Sequence, residues 1–242
     1  MATLRAVLFD LDDTLFSTRD FAKKARHNAV MAMLEAGLRS TPEVVHAELD
    51  EVIREFSSNY GSHFDKLLMR LPLGDQAGTN PAVIVAAGVV AYHDTKFQGL
   101  APFPDVKPFL QALSGAGLVT GCITHGWTMK QAEKLIRLGL VPLLDSQAIF
   151  ISDQVGISKP NPKLYSTALR KLGLEPAEVM YVGDNLAHDI APPQTLGIHT
   201  TWIHRSAKPG QDMAIHADHS VADFRELAAI LRETYGVPLA AF

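Results

Sequence analysis

A short apolar run close to the N-terminus ends in the acidic residues Asp10, Asp12 and Asp13, followed by Thr14. Runs of this length and composition are typical of a buried strand in a parallel sheet. Open α/β sheets bind ligands beyond the carboxyl ends of their strands. Carboxylates that crowd together there repel one another unless a cation or a proton lies between them. The sequence therefore predicts a parallel sheet with a metal site at the end of its first strand.

After residue 100 the chain repeats one unit, in which a helical segment ends at a glycine and an apolar strand follows. Alternating strands and helices with right-handed crossovers form a doubly wound parallel sheet. We therefore predict an α/β fold whose core domain consists of residues 1–16 and 100–242. The predicted strands are residues 5–9, 118–123, 148–152, 179–182 and 198–203, and the predicted helices are residues 109–116, 130–138, 162–172, 189–196 and 222–235.

The stretch between the first strand and this repeat has a helical pattern. Apolar residues recur at helical spacing in three segments, which end at Gly37, Gly61 and Pro72. A fourth, Val- and Ile-rich segment ends near Phe97; it could be a strand, but its length favours a buried helix. We predict that residues 17–99 form an inserted α-helical domain.

Composition excludes several classes of partner. The net charge is −4 with no block of like charge, so we expect neither a nucleic acid nor an anionic membrane as partner. No apolar run reaches the roughly 20 residues that span a bilayer, and no signal peptide is recognisable. The single cysteine, Cys122, lies in an apolar run, which predicts a buried side chain and no internal disulfide. We expect a cytoplasmic enzyme, either a monomer or a homodimer.

Polar residues follow four of the predicted strands. Because the carboxyl ends of parallel strands lie at one edge of a sheet, these side chains can converge on one crevice. They are Asp10 and Asp12 after the first strand, Thr124, His125 and Gly126 at the end of the second, Lys159 in the loop after the third, and Asp184 and Asp189 after the fourth.

The chemistry of this set indicates a metal and a phosphate. Asp10, Asp184 and Asp189 offer hard oxygen ligands without a thiolate or an imidazole, a set that suits Mg²⁺. Thr124 and the backbone N–H groups of residues 125–126 can donate hydrogen bonds to phosphate oxygens. With a cationic side chain in the following loop, every part that phosphoryl transfer requires is present. We predict Mg²⁺ as cofactor and a small phosphorylated molecule as substrate.

The four groups of residues resemble the motifs of the haloacid dehalogenase-like (HAD) superfamily of phosphohydrolases. D-x-D-x-T corresponds to residues 10–14, the strand-end Thr to Thr124, the Lys to Lys159 and G-D-x-x-x-x-D to residues 183–189. All four occur in the order of the family and cover nearly all of the predicted core domain. The resemblance implies a Rossmann-like core, and the helical insertion resembles the type 1 cap of the family.

The resemblance also implies roles for individual residues. Asp10 attacks phosphorus and becomes an aspartyl-phosphate. Asp12 protonates the leaving alkoxide and then deprotonates the water that hydrolyses the intermediate. The metal site comprises Asp10, the backbone carbonyl of Asp12, and Asp184, with Asp189 behind these ligands. The alternative for Asp189 is a cap of the following helix.

Four positions depart from the family or are ordinary structural residues. His125 stands where the family often has Asn or Asp, and it either contacts the leaving group or faces solvent. Pro192 and Pro193 stand where a Gly-Ala pair usually begins the helix, and proline is tolerated in a first turn. Asp13 is interpreted as a turn residue.

The function we predict is a Mg²⁺-dependent phosphatase for a small phosphomonoester. Residues 129–140 resemble members of the family that act on sugar phosphates, glyceraldehyde phosphate or nucleoside monophosphates, and phosphoglycolate is a further candidate substrate. A phosphomutase would share every core residue and is the first alternative. A 2-haloacid dehalogenase is the second, although it would need neither Mg²⁺ nor an acid at Asp12.

Overall fold

The computed structural model describes residues 3–56, 60–76, 78–206 and 210–242. Residues 57–59 and 77 of the predicted helical domain, and residues 207–209 of the predicted core domain, lie outside the described residues. The chain divides into two compact units, one of residues 1–18 and 101–242 and the other of residues 19–100. Ser17 and Thr18 thus belong to the first unit, two residues beyond the predicted boundary.

The first unit is built on a parallel sheet. Its order within the described residues is β3-β2-β1-β4-β5-β6, and every neighbouring pair of strands is parallel. The direction of winding changes between the central strands β1 and β4, and the crevice beyond such a switch point is where α/β sheets bind ligands. The predicted doubly wound sheet is confirmed. The strands are β1 Ala6–Phe9, β2 Val119–Thr124, β3 Ile149–Ile151, β4 Val179–Gly183, β5 His199–Ile203 and β6 His219–Val221.

The regular secondary structure in the described residues of the second unit is all helical. The Val- and Ile-rich segment that could have been a strand is a helix, begun by Asn80, whose side chain accepts a hydrogen bond from the backbone N–H of Ala82. Buried side chains that include Met33, Leu49 and Leu67 form its core. No helix among the described residues of the chain has both the length and the hydropathy that crossing a bilayer requires. The helices are α1 Thr18–Glu35, α2 Pro42–Phe56, α3 His63–Arg70 and α4 Pro81–Gly99.

Helices cover the sheet of the first unit. Their apolar faces pack against strand residues such as Leu8 and Tyr181, and the central strands β1 and β4 are buried along their whole length. Cys122 is buried in β2 as a free thiol, as predicted, and burial raises its pKa. The helices are α5 Val106–Gly115, α6 Thr128–Arg137, α7 Ser152–Val155, α8 Pro162–Leu172, α9 Ala191–Gln194 and α10 Phe224–Glu233.

The structure differs from the predicted elements in three places. The helix α7 was not predicted, because four residues are too few to show a hydrophobic period, and the edge strand β6 was not predicted, because its residues do not form an apolar run. The predicted helix over residues 189–196 is a π-helical turn, Leu186–Ile190, followed by the short α9. Pro192 and Pro193 lie in the first turn of α9, where the missing N–H of proline breaks no helical hydrogen bond.

Gly121 lies where β2 passes closest to its neighbours. A Cβ atom at this position would lie 2.5 Å from the carbonyl oxygen of Ala148 and 2.6 Å from Cδ2 of Leu8. Both contacts are shorter than van der Waals separation, so only glycine fits between the strands.

Replacing Gly121 by alanine tests this close approach. Gly121→Ala should lower the free energy of unfolding by about 1–3 kcal/mol, because a methyl group would overpack the sheet. Gly115→Ala is the control: its Cβ would meet open space at the end of α5, and it should stabilise the chain by up to about 1 kcal/mol. Urea unfolding followed by circular dichroism measures both values. Equal stability of the two variants would contradict the packing described here.

Candidate active site

The register of the central strands brings Asp10 and Asp184 to the same edge of the sheet. Phe9, the last residue of β1, is paired with Val182 of β4. Asp10 follows directly and donates its backbone N–H to the carbonyl oxygen of Val182 at 2.9 Å. Asp184 follows Gly183, the last residue of β4. The two carboxylates therefore lie side by side at the switch point of the sheet.

Asp10, Asp184 and Asp189 form a buried carboxylate cluster. Each offers one oxygen, and these atoms all lie within 4.8 Å of one another. Burial raises the pKa of Asp10, Lys159 lowers it and Asp189 raises it again, so that it lies at about 7. Three side chains thus offer hard carboxylate oxygens to one point, and such a donor set fits a divalent cation such as Mg²⁺.

Lys159 is the cation that the chain itself supplies. Its ammonium group donates to Oδ1 of Asp10 at 2.6 Å, to Oδ1 of Asp189 at 2.7 Å and to the hydroxyl of Tyr181 at 2.7 Å. Its side chain is only 2% exposed. Burial lowers the pKa of Lys159, but the two carboxylates raise it well above the usual value. The side chain is therefore charged and fixed. The Tyr181 hydroxyl in turn donates to the carbonyl oxygen of Ile123 at 2.8 Å.

Asp189 stabilises the loop that follows β4 by a hydrogen bond to its backbone. Its Oδ2 accepts the backbone N–H of Asn185 at 3.1 Å, while its Oδ1 accepts from Lys159. Among the described residues no side chain caps α9, so the alternative interpretation of Asp189 as a cap of that helix is wrong. Gly183 makes room for this arrangement, because a Cβ there would lie 2.4 Å from Cβ of Asp189. The glycine of the G-D-x-x-x-x-D motif therefore has a steric explanation.

Two residues that the sequence did not indicate hold the backbone of Asp184. Its carbonyl oxygen accepts from Nε1 of Trp202 at 2.8 Å and from Nε2 of Gln211 at 2.7 Å. Oε1 of Gln211 also accepts the backbone N–H of Leu186 at 2.7 Å. Trp202 lies on β5 and Gln211 in the loop beyond it, so both contacts arise from tertiary packing and leave no local pattern in the sequence.

Asp13 shapes the turn after β1. Its φ of 61° lies in the left-handed region, which Asp tolerates better than most residues. Its carboxylate accepts hydrogen bonds from the backbone N–H of Thr18 at 2.9 Å and from the Thr18 hydroxyl at 2.7 and 2.8 Å. The interpretation of Asp13 as a turn residue is confirmed.

The side chain of Asp12 contacts helix α6. The ammonium of Lys134 lies 2.7 Å from each of its carboxylate oxygens, and Nε2 of Gln131 donates to Oδ2 at 3.1 Å. Neither Gln131 nor Lys134 was among the predicted site residues. Their spacing of three residues on a helix places them on one face, and this was the signal available in the sequence.

The turn after β2 contains the remaining predicted residues. Thr124 is fully buried, and its hydroxyl accepts from Nε2 of Gln131 at 2.8 Å. His125 is exposed, and its Nδ1 lies 2.7 Å from the hydroxyl of Ser158, so its ring is held by a neighbour. Gly126 has a φ of 137° and donates its N–H to Oγ of Ser152 at 3.0 Å. The predicted hydrogen bond from this N–H to phosphate would therefore require the bond to Ser152 to break.

Comparison with known proteins identifies relatives of this chain. A family model described as haloacid dehalogenase-like hydrolase matches residues 7–203. A glyceraldehyde 3-phosphate phosphatase from Methanopyrus kandleri is 44% identical over 238 residues, which cover 95% of this chain and 98% of the relative. The corresponding protein from Methanocaldococcus jannaschii is 35% identical over 229 residues, 95% of this chain and 97% of the relative. These matches confirm the predicted resemblance and the predicted class of enzyme, a phosphoric monoester hydrolase.

A solved structure supports the fold. The magnesium-bound structure of YfnB from Bacillus subtilis matches with a TM-score of 0.65 at 19% identity, over 95% of this chain and 99% of that chain. At this level of identity the likeness concerns the fold alone. It agrees with the α/β core described above.

Removing the cation from the carboxylate cluster tests how far the cluster depends on it. Lys159→Met should lower the free energy of unfolding by about 3–5 kcal/mol, because it leaves buried carboxylates without their partner. Lys163→Met, at an exposed position on α8, should change it by no more than about 0.5 kcal/mol. Urea unfolding in the presence of EDTA measures both. A loss below about 1 kcal/mol for Lys159→Met would show that the cluster is stable without the ammonium.

Proposed function

This chain belongs to the family of haloacid dehalogenase-like hydrolases, and on that premise we propose that it is a Mg²⁺-dependent phosphatase. Its substrate is glyceraldehyde 3-phosphate or a closely similar small phosphomonoester, and the reaction passes through an aspartyl-phosphate. The observation that carries the proposal is the buried cluster in which Asp10, Asp184 and Lys159 meet at the switch point of the sheet. The choice of substrate rests on the relatives, which match nearly the whole chain.

Asp10 is the nucleophile of this mechanism. Lys159 holds its Oδ1, which orients the carboxylate for in-line attack on phosphorus. One bond forms between a carboxylate oxygen and phosphorus, and the bond from phosphorus to the alcohol oxygen breaks with its electrons going to that oxygen. The covalent intermediate divides one difficult displacement into two easier ones.

Asp12 transfers the protons. Its carboxyl group gives a proton to the leaving alkoxide, and its carboxylate then takes a proton from the water that attacks the aspartyl-phosphate. This alternation returns Asp12 to its starting state after each turnover.

Thr124, Lys159 and the backbone N–H of His125 stabilise the oxygens of the transferring phosphoryl group. Fixed donors directed at developing charge are a large source of catalysis in sites from which water is excluded. Gly126, whose N–H is bound to Ser152, shapes the turn that presents these donors.

Asp10, Asp184 and the backbone carbonyl of Asp12 would hold the metal, with Asp189 behind them. A Mg²⁺ held there would supply charge neutralisation for the nucleophile and the phosphate. Asp189 contributes by fixing both Lys159 and the loop that carries Asp184.

A phosphate-release assay tests the proposed activity. Small phosphomonoesters, including glyceraldehyde 3-phosphate, phosphoglycolate and p-nitrophenyl phosphate, are incubated with the protein in Mg²⁺ or in EDTA. We expect release in Mg²⁺ alone, and a loss of at least about 1,000-fold for Asp10→Asn, which removes the nucleophile. Transfer of phosphate to a second sugar phosphate would favour a phosphomutase. Halide release from a 2-haloacid in EDTA would favour a dehalogenase. A folded protein that is inactive on every ester would reject the proposal.

Metal binding can be measured separately from activity. At a Mg²⁺ concentration 100 times the dissociation constant, the ion should stabilise the fold by about 2.7 kcal/mol. Asp184→Asn should remove most of this gain, because it replaces an anionic ligand by a neutral amide. Asp145→Asn, an exposed acid that precedes β3 at the opposite edge of the sheet, should leave it unchanged. Thermal unfolding with and without MgCl₂ gives the comparison, and an equal gain in the two variants would locate the ion elsewhere.

A further inference from the structure

A second charged group lies beside the carboxylate cluster, formed by Asp12, Gln131 and Lys134. Both oxygens of the Asp12 carboxylate lie 2.7 Å from Nζ of Lys134. Contact with both oxygens restricts the rotation of the carboxylate as well as its position. The side chains of Lys134 and Asp12 are 23% and 30% exposed. Partly exposed ion pairs contribute little to stability, so stability alone is a weak explanation of this contact.

Gln131 connects this group to the turn after β2, which contains Thr124 and His125. It is only 2% exposed, and its Nε2 lies 3.1 Å from Oδ2 of Asp12, 2.8 Å from the Thr124 hydroxyl and 2.5 Å from the carbonyl oxygen of His125. Its Oε1 is buried and accepts no hydrogen bond from the described residues. Gln131 and Lys134 lie one turn apart on α6. The helix therefore holds Asp12 at a set distance from Thr124.

We infer that Lys134, together with Gln131, positions Asp12 for proton transfer to the leaving alkoxide, an inference that rests on the proposed function. When the bond from phosphorus to the ester oxygen breaks, its electron pair goes to that oxygen and the carboxyl proton of Asp12 follows. The electrons of the O–H bond remain on Asp12. In the protonated acid one oxygen of Asp12 can still accept from Lys134, and the carboxylate left by the transfer has both of the contacts with the ammonium seen here. Lys134 is a positioning residue, because it acts on the substrate through Asp12.

A role in proton transfer makes the effect of Lys134 depend on the leaving group of the substrate. The alkoxide that leaves from a small sugar phosphate or from glyceraldehyde 3-phosphate is strongly basic and needs a proton as the bond breaks. A nitrophenolate is a stable anion and leaves without one. Loss of a residue that serves proton transfer should therefore slow the reaction of alkyl phosphates far more than that of nitrophenyl phosphate. A residue that only supports the fold would affect both substrates alike.

The test measures kcat/KM for glyceraldehyde 3-phosphate and for p-nitrophenyl phosphate. This ratio covers the steps up to release of the alcohol and excludes hydrolysis of the intermediate. Lys134→Met should lower it about 100-fold for the alkyl ester, in the range of lost acid–base catalysis, and less than about fivefold for the aryl ester. Lys134→Arg keeps the charge and should recover most of the loss. Lys130→Met is the control on the same helix, where Lys130 lies over the Trp127 ring, and both of its values should match wild type.

A double-mutant cycle shows whether Lys134 acts through Asp12. In the Asp12→Asn background, Lys134→Met should cause no further loss, because residues that act as a unit are not additive. Equal losses for the two esters in Lys134→Met, or a full additional loss in the double variant, would overturn the inference. These results differ from a failure of the proposed function, in which the wild-type protein itself would release no phosphate from any ester in Mg²⁺.

Discussion

The buried contact of Lys159 with Asp10 and Asp189 is the interaction on which the candidate site depends. A buried ion pair of this kind is poor evidence for stability, because well-packed apolar residues often serve a fold as well or better, whereas loss of one partner is costly. Its presence at the switch point therefore calls for a functional explanation. Oxygens of all three carboxylates lie within 4.8 Å of one another, and such a set of hard donors fits a divalent cation. In the proposed function the same lysine offers its charge to a phosphate that approaches Asp10.

The sheet brings these side chains together by its register. Pairing of Phe9 with Val182 makes Asp10 and Asp184 neighbours, although they are far apart in sequence. Gly183 then allows Asp189 to turn back toward Lys159, since any Cβ at this position would collide with it. Strand ends, one glycine and one lysine thus determine the geometry of the cluster, and the loops around it hold that geometry.

The sequence predicted the sheet and the cluster because both leave local signals. Apolar runs mark β1 and β4, and the acids that follow them are visible without knowledge of the fold. Trp202, Gln211 and Ser158 were not predicted, because each contacts the site through packing between elements that are distant in sequence. The edge strand β6 was missed for another reason, since its residues His-Ser-Val do not form an apolar run. The acids that follow the strands could therefore be predicted from the sequence, while the three residues that contact the site from distant elements could not.

Asp10 and Asp12 are two residues apart, yet the structure gives them different surroundings. Asp10 lies among buried charges beside Lys159, whereas Asp12 is partly exposed and contacts Lys134 and Gln131 on α6. The left-handed turn at Asp13 follows them and is fixed by its own hydrogen bonds. Enzymes that use two carboxylates for different tasks separate them by environment. The roles proposed for Asp10 and Asp12 follow this logic, because a nucleophile needs a fixed anion and a proton carrier needs access to the leaving group and to water.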